Sequence, residues 1–443
     1  MSHKITIVGG GSFGWTPRLV RDMVLTEGLS DSEYVLYDID PSASDLTKAF
    51  LDKLQESLGT RAKIVSTDKP ERAFKEAEYV IITISTGGLN AMARDLAIPE
   101  DYSVYHTVGD TSGPGGWART IRNFGPFMDL AEMMNRWCPG AVVLNYTNPM
   151  STLTDLLCRA YDGPVVGLCH GLFENMDFIR DQYKLDGYDD IHVRYAGVNH
   201  FFWMTEAKAG DRDVIADLAR KLKRRSITDL IKDRIEDPLG FHSNHEIATE
   251  MFRLTGVLPY LGDRHTSEFF PWYITRKENM KKYRLVRTFI TGRRKYKSRA
   301  KSRLVRQTRG KLADGWEQRS RETAADIVSS HANGRVFIDV GNVPNTGQVT
   351  NLPLGAVVET AVRVDRNGFD PVAFGELPEI VAGFVEPYCR VFGMTVDACF
   401  AGDRRMAVQA LRLDPVCSHL NGEQVEEMAD RLLKAHKKFI TAF

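Results

Sequence analysis

The chain has 443 residues, of which 43% are hydrophobic and 26% charged, values typical of a globular enzyme long enough for two joined domains. Lysine and arginine balance aspartate and glutamate at 58 each, so the net charge gives no bias toward nucleic acid or a membrane surface. No secretory signal or bilayer-length apolar run is visible, and the six cysteines are scattered. We therefore expect a cytoplasmic protein with reduced thiols and neither nucleic-acid nor membrane partners.

The first elements in chain order follow the pattern of a dinucleotide-binding unit. Residues 4–9 predict a buried parallel strand, residues 18–29 a helix, and residues 34–37 a second strand. Further strands follow at the spacing of an α/β fold, at residues 79–85, 141–146 and 164–168. The pattern predicts a parallel, doubly wound sheet whose ligand crevice lies at the carboxyl ends of its strands.

A glycine-rich turn joins the first strand to the first helix. Gly9, Gly11 and Gly14 fit G-x-G-x-x-G, and Asp38 follows the second strand, 24 residues after Gly14. In such a turn the glycines permit, in order, the tight turn, approach of the backbone to a pyrophosphate, and packing of the helix on the strand. Asp38 would accept hydrogen bonds from the adenosine ribose and disfavour the 2′-phosphate of NADP. We predict an NAD site formed by Gly9, Gly11, Ser12, Phe13, Gly14 and Asp38; the alternative is a glycine-rich turn without a ligand.

The second half of the chain is less regular. Helices are predicted over residues 212–235, 316–334 and 421–440, and short β-strands over residues 335–375. The predicted fold is α/β, with an N-terminal doubly wound Rossmann domain (1–170) and a C-terminal α+β domain (171–443) that share a cleft.

Residues 276–311 form a strongly basic segment, with sixteen lysines and arginines and one acid, Glu278. We expect a solvated helical or loop insertion. Steering of acidic oligosaccharides and contact between subunits are alternatives. A nucleic-acid role is the least favoured, because the segment has few aromatic residues and the total charge is balanced.

Cys169 and His200 are candidate metal ligands. They lie thirty-one residues apart, a spacing that is no metal motif by itself, so a buried cysteine and a core histidine are the plain alternative. Cys169, however, follows a predicted strand whose end faces the cofactor crevice. That position favours Cys169 as a metal ligand over a buried structural cysteine.

Nine motifs carry a resemblance to a known family. They read, in order, GGGSFGWTP, LYDID, TGGLNAMARD, GDTSGPGG, NYTNP, CHG, GVNH, GDRHTSEFFP and NVPNTGQVTNLP, over roughly residues 5–360. In sequence and order they resemble the NAD- and divalent-metal-dependent glycoside hydrolases of family 4. The fold of that family is similar to lactate and malate dehydrogenases. This chain lacks a GEHGD-like histidine motif, which disfavours an ordinary hydroxyacid dehydrogenase.

The resemblance implies a redox-assisted hydrolysis that differs from the two-carboxylate mechanism of most glycosidases. NAD⁺ takes a hydride from C3 of the sugar, a base removes the acidified C2 proton, and a metal ion stabilises the enediolate. The leaving group departs from C1, water adds, and NADH returns the hydride. NAD is then a recycled cofactor, with no net redox change.

The resemblance also assigns roles to residues. Cys169 and His200 match the family's metal ligands, with Mn²⁺ as the implied ion, although a thiolate suits zinc or cobalt better. Asn148 and Arg94 match sugar-binding residues; a turn asparagine and a solvated helix arginine are their plain alternatives. Arg119, with Arg122, is a weaker substrate-binding candidate.

Three residues are candidates for proton transfer. Many family members use a tyrosine as the base, but members with the GDRH pattern resemble this chain in placing an aspartate there. We therefore prefer Asp263 and keep Tyr260 in reserve. Asp263 paired with Arg264 or a backbone N–H is the structural alternative. His170 is the candidate donor of a proton to the leaving oxygen.

The residue after Cys169 points to the sugar. Phosphoglucosidases of the family resemble C-D-x-P or C-N-x-P here, whereas CHG and VGDT resemble the uronidase branch. Arg264, Arg119 or Arg94 would bind the uronate carboxylate. We predict an α-galacturonidase acting on an acidic sugar or oligosaccharide, as a homodimer or homotetramer. The alternatives are an α-glucuronidase, another acidic-sugar glycosidase, an NAD-dependent polyol or hydroxyacid dehydrogenase, and a non-enzymatic NAD-sensing protein.

Overall fold

The computed structural model describes residues 2–231 and 244–443, and its first half alternates strands and helices. The strands are β1 (Lys4–Val8), β2 (Glu33–Tyr37), β3 (Lys63–Thr67), β4 (Tyr79–Ile82), β5 (Val142–Asn145) and β6 (Val165–Gly167). The helices are α1 (Trp15–Val24), α2 (Pro41–Leu58), α3 (Pro70–Phe74), α4 (Gly88–Glu100), α5 (Gly113–Trp137) and α6 (Met150–Ala160). The strands are parallel in the order β3-β2-β1-β4-β5-β6, which is the doubly wound Rossmann order. The predicted N-terminal fold is confirmed.

The second half mixes antiparallel strands with helices. The strands are β7 (Ile191–Val198), β8 (Phe201–Ala209), β9 (Arg212–Asp213), β10 (Leu258–Pro259), β11 (Phe337–Pro344), β12 (Val357–Asp365) and β13 (Gly368–Pro371). The helices up to the basic segment are α7 (Gly171–Tyr183), α8 (Val214–Lys221), α9 (Ile227–Leu230), α10 (Glu246–Thr255), α11 (Asp263–Thr266), α12 (Pro271–Ile274), α13 (Lys277–Lys282) and α14 (Ile290–Arg309). The later ones are α15 (Ala324–Asn333), α16 (Glu379–Ala401), α17 (Arg404–Leu413) and α18 (Gly422–His436), and short 3₁₀ turns cover Ser267–Phe269 and Pro415–Cys417.

One sheet runs through both halves. Asn342 of β11 pairs antiparallel with Gly167 of β6, and the order then continues β11-β12-β7-β8-β10, with β13 on β12 and β9 on β8. The antiparallel strands confirm the predicted α+β character of the second half. The division at residues 170 and 171 stays a prediction.

Two predicted helices differ clearly from the structure. Residues 212–235 hold β9, α8 and α9 instead of one helix, and the last four of these residues lie outside the described ranges. The side chains of Asp213 and Ser226 each accept an N–H from the helix that follows, which makes each a separate start. Before α15, the N–H of Ser320 donates to Asp22 of α1 at 2.8 Å, which fits a helix that begins only at residue 324.

Helices from the second half pack on the first. α14 contacts α2 and α4, α15 contacts α1, α16 contacts α5 and α6, and α18 contacts α4. Leu304 of α14 is buried in the same apolar cluster as Ile5 and Leu54. The basic segment is thus mostly helical with an exposed face, as expected, but it is not merely a solvated insertion, because its inner face packs on helices α2 and α4 of the Rossmann half. No described helix combines the length and apolarity needed to cross a bilayer.

Candidate functional site

Close backbone packing shapes the glycine-rich turn after β1. Gly9 has φ +92°, and a Cβ there would lie 2.4 Å from the carbonyl oxygen of Thr83. A Cβ on Gly10 would lie 2.6 Å from Leu36, and one on Gly11 2.6 Å from Cβ of Ala43. A Cβ on Gly14, by contrast, would meet nothing within 4 Å. The prediction that Gly14 is needed for packing the helix on the strand is therefore wrong, since Gly10 and Gly11 make the close contacts.

Asp38 holds this turn in place. One carboxylate oxygen accepts the N–H of Gly11 at 2.8 Å, and the other accepts the N–H of Asp40 at 2.9 Å. The N–H of Ser12 donates to the carbonyl of Gly9 at 2.9 Å, and Phe13 follows in the turn. Helix α1 then begins after Gly14, which has no side chain to cap it, and this kind of helix start suits a phosphate. The N–H groups of Trp15 and Thr16 reach the hydroxyl and the carbonyl of Ser12, at 3.4 and 3.2 Å.

Asn148 and Arg119 lie together at the end of β5. The Nε of Arg119 donates to the carbonyl of Asn148 at 2.9 Å, and the side-chain oxygen of Asn148 is buried without a hydrogen-bond partner. That oxygen is placed to accept a ligand hydroxyl. The other predicted arginines lie elsewhere: Arg94 is exposed on α4, and Arg122 donates to both carboxylate oxygens of Asp95, at 2.7 and 2.6 Å.

Cys169 and His170 follow β6 at the same edge of the sheet. Burial raises the pKa of the Cys169 thiol, which receives hydrogen bonds from the Asn199 side chain and the Gly171 N–H. The His170 side chain is 55% exposed, and its Nδ1 lies 3.7 Å from Glu322. The ring of Trp15, from the start of α1, lies 5.7 Å from the His170 ring. The predicted cofactor turn and the predicted proton donor are therefore neighbours.

His200 lies at the tip of the β7–β8 hairpin. Val198 pairs with Phe201, so Asn199 and His200 form a two-residue turn, and His200 adopts a left-handed conformation with φ +64°. The amide of Asn199 donates to the buried carboxylate of Glu359 at 2.9 Å. Burial raises the pKa of Glu359 to about 7. The hydrogen bond between Asn199 and Glu359 therefore holds the turn that presents His200.

Asp110, His200 and His265 form a candidate metal centre. One ligand atom from each lies within 4.8 Å of the others, and the two imidazole rings stack with centroids 3.7 Å apart. His200 Nδ1 lies 2.8 Å from the Thr111 hydroxyl, which donates to Asp110 at 2.9 Å. Because the Thr111 hydroxyl donates its hydrogen to Asp110, its oxygen accepts a hydrogen bond from His200. The proton of His200 is therefore assigned to Nδ1, and Nε2 keeps a free lone pair. The Nδ1 of His265 is buried without a hydrogen-bond partner.

The electrostatics of this cluster suit a cation. Burial lowers the pKa of His265 to about 4 and holds that of His200 well below its usual value, so both rings are neutral at pH 7. The neighbouring His265 and Arg119 hold the pKa of Asp110 well below its usual range despite its burial, so the carboxylate is ionised. Two neutral imidazoles and one carboxylate are a donor set that binds divalent metals.

A buried carboxylate shapes the loop that carries Asp110. Glu268 accepts the N–H groups of Val108 and Gly109, at 2.7 and 2.9 Å, and the hydroxyl of Thr107 at 3.0 Å. His106 Nδ1 lies 3.1 Å from the same oxygen. Glu268 is fully buried and binds the loop from the GDRHTSEFFP segment. It therefore orders the two segments that supply Asp110 and His265.

The two candidate bases have different surroundings. The carboxylate of Asp263 accepts the N–H groups of Ile247 and Ala248, at 2.9 and 3.0 Å, and thus caps α10, while burial raises its pKa to about 7. Tyr260 is buried against the site, with its ring stacked 6.1 Å from that of His200. Burial raises the pKa of Tyr260. The structural alternative foreseen for Asp263 is present, and its role as base stays a prediction.

Arg264 bridges two backbone segments. Its Nη2 donates to the carbonyl of Thr107 at 3.1 Å and to the hydroxyl of Thr288 at 2.9 Å. These bonds join the Asp110 loop to the segment before α14.

Sequence reasoning missed Asp110 and His265 as candidate ligands and Glu268 as the residue that orders their loop. All three occur inside motifs that the sequence shows, GDTSGPGG and GDRHTSEFFP. No spacing signalled them, because Asp110 and His265 lie more than 150 residues apart and meet only through the fold.

Solved structures share this architecture over almost the whole chain. lplD of Bacillus subtilis superposes with a TM-score of 0.87 at 28% identity, over 98% of this chain and 100% of that one. A 6-phospho-α-glucosidase from gut microorganisms, in complex with NAD and Mn²⁺, has a TM-score of 0.83 at 20% identity, over 99% of each chain. Malate dehydrogenase of Plasmodium falciparum has a TM-score of 0.54 at 14% identity, over 90% of this chain and 99% of that one. The last two show the fold alone and confirm its likeness to malate dehydrogenase.

Similar proteins and a family description point to the same kind of enzyme. The chain is 31% identical to an α-galacturonidase of Bacillus subtilis, over 97% of each protein, and 30% identical to an α-galactosidase of the same organism, over 99% of each. Residues 4–185 match the family described as "Family 4 glycosyl hydrolase", and residues 195–417 match the C-terminal domain of that family. This chain therefore belongs to family 4 of the glycosyl hydrolases.

Proposed function

We propose that the protein hydrolyses α-linked uronides, galacturonides first, with NAD and a divalent metal as cofactors. The observation that carries the proposal is the Asp110–His200–His265 cluster, which lies beside the residues at the strand ends of the Rossmann sheet. Arg119 links the two, since its Nε binds the Asn148 backbone and its charge acts on Asp110. A ligand at Asn148 would thus lie near both the predicted nicotinamide crevice and the metal donors.

The residues present suit both cofactors. The uncapped start of α1 and the closely packed glycine turn suit a dinucleotide phosphate. The carboxylate of Asp110 makes the donor set harder than Cys169 and His200 alone, and such a set suits Mn²⁺. The 6-phospho-α-glucosidase that binds NAD and Mn²⁺ supports the same choice. When bound, NAD supplies a reversible hydride acceptor and the metal a Lewis acid for sugar oxygens.

His200 is the central proposed ligand of the metal. Asp110 and His265 provide the donors whose proximity the structure describes, and the unpartnered Nδ1 of His265 supports their assignment. Cys169 remains a proposed ligand on the ground of family resemblance. Its neighbours are Asn199, the residue before His200, and Glu359. A thiolate there would complete the set from the side of β6.

The remaining side chains bind the sugar and move protons. The buried side-chain oxygen of Asn148 accepts a sugar hydroxyl. Tyr260, stacked beside His200, is the better placed base for the C2 proton, because the carboxylate of Asp263 already caps α10. A divalent cation bound at His200 would offset the burial that raises the pKa of Tyr260. His170, exposed at the rim, gives a proton to the leaving oxygen.

The substrate is the finer part of the proposal. The CHG motif, the relative named α-galacturonidase and the buried Arg119 favour a uronide. The relative named α-galactosidase, equally similar over the whole chain, makes a neutral α-galactoside the second candidate.

The test is hydrolysis of aryl α-D-galacturonide and aryl α-D-galactoside by reduced protein, with NAD⁺ and Mn²⁺ each omitted in turn. We expect release of the aryl group from the uronide that needs both additions, without accumulation of NADH. Faster release from the galactoside would select the second candidate. Steady NADH formation without hydrolysis would show that the protein acts as a dehydrogenase instead.

A further inference from the structure

Residues 83–87, here called the β4 loop, connect β4 to α4 at the carboxyl end of the Rossmann sheet. A Cβ on Gly9 would lie 2.4 Å from the carbonyl oxygen of Thr83, and the N–H of Ile84 donates to the hydroxyl of Thr147 at 3.1 Å. The loop therefore lies between the glycine turn and the turn after β5. The strand order reverses between β1 and β4, the point at which doubly wound sheets bind dinucleotides. A dinucleotide that extends from the glycine turn toward β5 would pass over this loop.

Two elements hold the end of the β4 loop. The Nε of Arg122, from α5, donates to the carbonyl of Thr86 at 3.1 Å. The partly buried ring of Phe439, which follows α18, packs on Gly87, where an added Cβ would lie 2.9 Å from Cε2 of that ring. Gly87 has φ +76°, and no side chain caps the helix that begins after it. One hydrogen bond from α5 and one aromatic ring therefore hold the last two residues of the loop.

The same two elements also contact the middle of α4. Both carboxylate oxygens of Asp95 accept N–H groups of Arg122, at 2.7 and 2.6 Å, and Nε2 of His436 lies 2.8 Å from one of these oxygens. All three side chains are at most 1% exposed. The N–H of Phe439 donates to the carbonyl of His436 at 2.8 Å, so the two residues form one unit. This unit and Arg122 thus fix α4 at two points, its start and its middle.

We propose that His436 and Phe439 position the β4 loop for NAD, His436 through Asp95 and Phe439 through Gly87. The inference rests on the proposed function, in which NAD occupies this crevice, and adds two positioning residues more than 300 residues away in sequence. A loop that is held in one conformation loses less conformational entropy when its ligand binds. The adenosine half of NAD binds at the glycine turn in this arrangement, so the loop serves the half that carries the nicotinamide.

The test compares binding of NAD⁺ and of ADP by calorimetry for wild type, Phe439→Ala, His436→Gln and Lys437→Ala. ADP has the adenosine and the pyrophosphate of NAD but lacks the nicotinamide half. Lys437 is exposed beside His436 and serves as the matched control. We expect Phe439→Ala and His436→Gln to weaken NAD⁺ binding by roughly 5- to 30-fold and ADP binding by less than about twofold. Phe439→Leu, which keeps an apolar side chain against Gly87, should lose less than Phe439→Ala.

A general loss of stability would weaken the binding of both ligands alike, so equal losses for NAD⁺ and ADP would overturn the inference. Wild-type NAD⁺ affinity in both Phe439→Ala and His436→Gln would overturn it too, as would an equal loss in Lys437→Ala. Hydrolysis separates this failure from that of the proposed function. NAD⁺-dependent uronide cleavage, with unchanged NAD⁺ affinity in both variants, keeps the activity and removes the positioning role. A selective loss of NAD⁺ binding in a protein that cleaves no glycoside keeps the positioning role and removes the proposed activity.

Discussion

The turn after β1 and the turn after β7 both present candidate site groups, but they are held in opposite ways. In the first, Gly9 and Gly10 approach neighbouring backbone so closely that no side chain fits, and the N–H groups at the start of the following helix are the proposed phosphate-binding atoms. In the second, His200 accepts a left-handed conformation, and hydrogen bonds from Asn199 to Glu359 and from His200 to Thr111 fix the turn. Backbone packing, with one hydrogen bond from the Gly11 N–H to Asp38, determines the first turn, and distant side chains determine the second.

This difference predicts which kind of substitution disturbs each turn. A turn held by backbone packing fails when a side chain is added, and its failure is one of folding. A turn held by side chains fails when one partner is removed, and its failure is one of ligand binding in a fold that persists. The variants below separate these two modes.

The largest effect is expected from the metal donors. His200→Ala and His265→Ala should each weaken Mn²⁺ binding by about 100-fold or more and abolish hydrolysis, because each removes a donor from the cluster. Mn²⁺ titration followed by electron paramagnetic resonance measures the affinity, and NAD⁺ binding serves as the control that the Rossmann half is intact. Cys169→Ser tests the other proposed donor. Wild-type Mn²⁺ affinity in His265→Ala, with a loss in Cys169→Ser, would place the metal between Cys169 and His200 and exclude His265 as a ligand.

The next effect concerns the base. Tyr260→Phe should slow exchange of the sugar C2 hydrogen with solvent deuterium by about 10²- to 10⁴-fold, because it removes the proposed base. Asp263→Asn should retain most of the exchange and lower stability instead, since it disturbs the cap of α10. Nuclear magnetic resonance of the product gives the exchange, and thermal unfolding gives the stability. The reverse pattern would restore Asp263 as the base.

The same contrast explains what the sequence could predict. The Rossmann half was predictable because its signal is local: a strand, a glycine turn, a helix and Asp38 occur within forty residues. His200 was a candidate ligand because of its motif. Asp110, His265 and Glu268 were not, because their ligand set and support form between segments that meet only in the folded chain. The basic segment was misjudged for the same reason, since the packing of Leu304 is not visible in a sequence rich in lysine and arginine.

A smaller effect is expected in the glycine turn, where local prediction erred. Gly10→Ala should lower the free energy of unfolding by about 1–3 kcal/mol, because its Cβ would overlap the backbone and Cβ of Leu36. Gly14→Ala should change it by less than about 0.5 kcal/mol, since nothing lies within 4 Å of that Cβ. Denaturant unfolding measures both, and an equal loss in the two variants would contradict the packing described for Gly10.

The last predicted effect is a pH dependence of stability, and it tests a side chain that holds the start of α5, just after the loop that carries Asp110. Asp414 lies in the core and accepts the N–H groups of Gly113, at the start of α5, and of Val416, at 3.0 and 2.9 Å. Burial raises its pKa to about 6, against an unfolded value of about 3.9. Between these two values the folded state holds the proton more tightly than the unfolded state, so stability falls as pH rises.

Asp414→Asn cannot ionise and so lacks this dependence. The free energy of unfolding of wild type minus that of Asp414→Asn should fall by up to about 3 kcal/mol from pH 4 to pH 7, on top of a constant offset for the hydrogen bond that asparagine cannot accept. Asp186→Asn, at an exposed position, measures the background. A difference that stays flat over this range would show that the Asp414 carboxylate ionises at no cost. The loop that carries Asp110 would then have to be held mainly by Glu268.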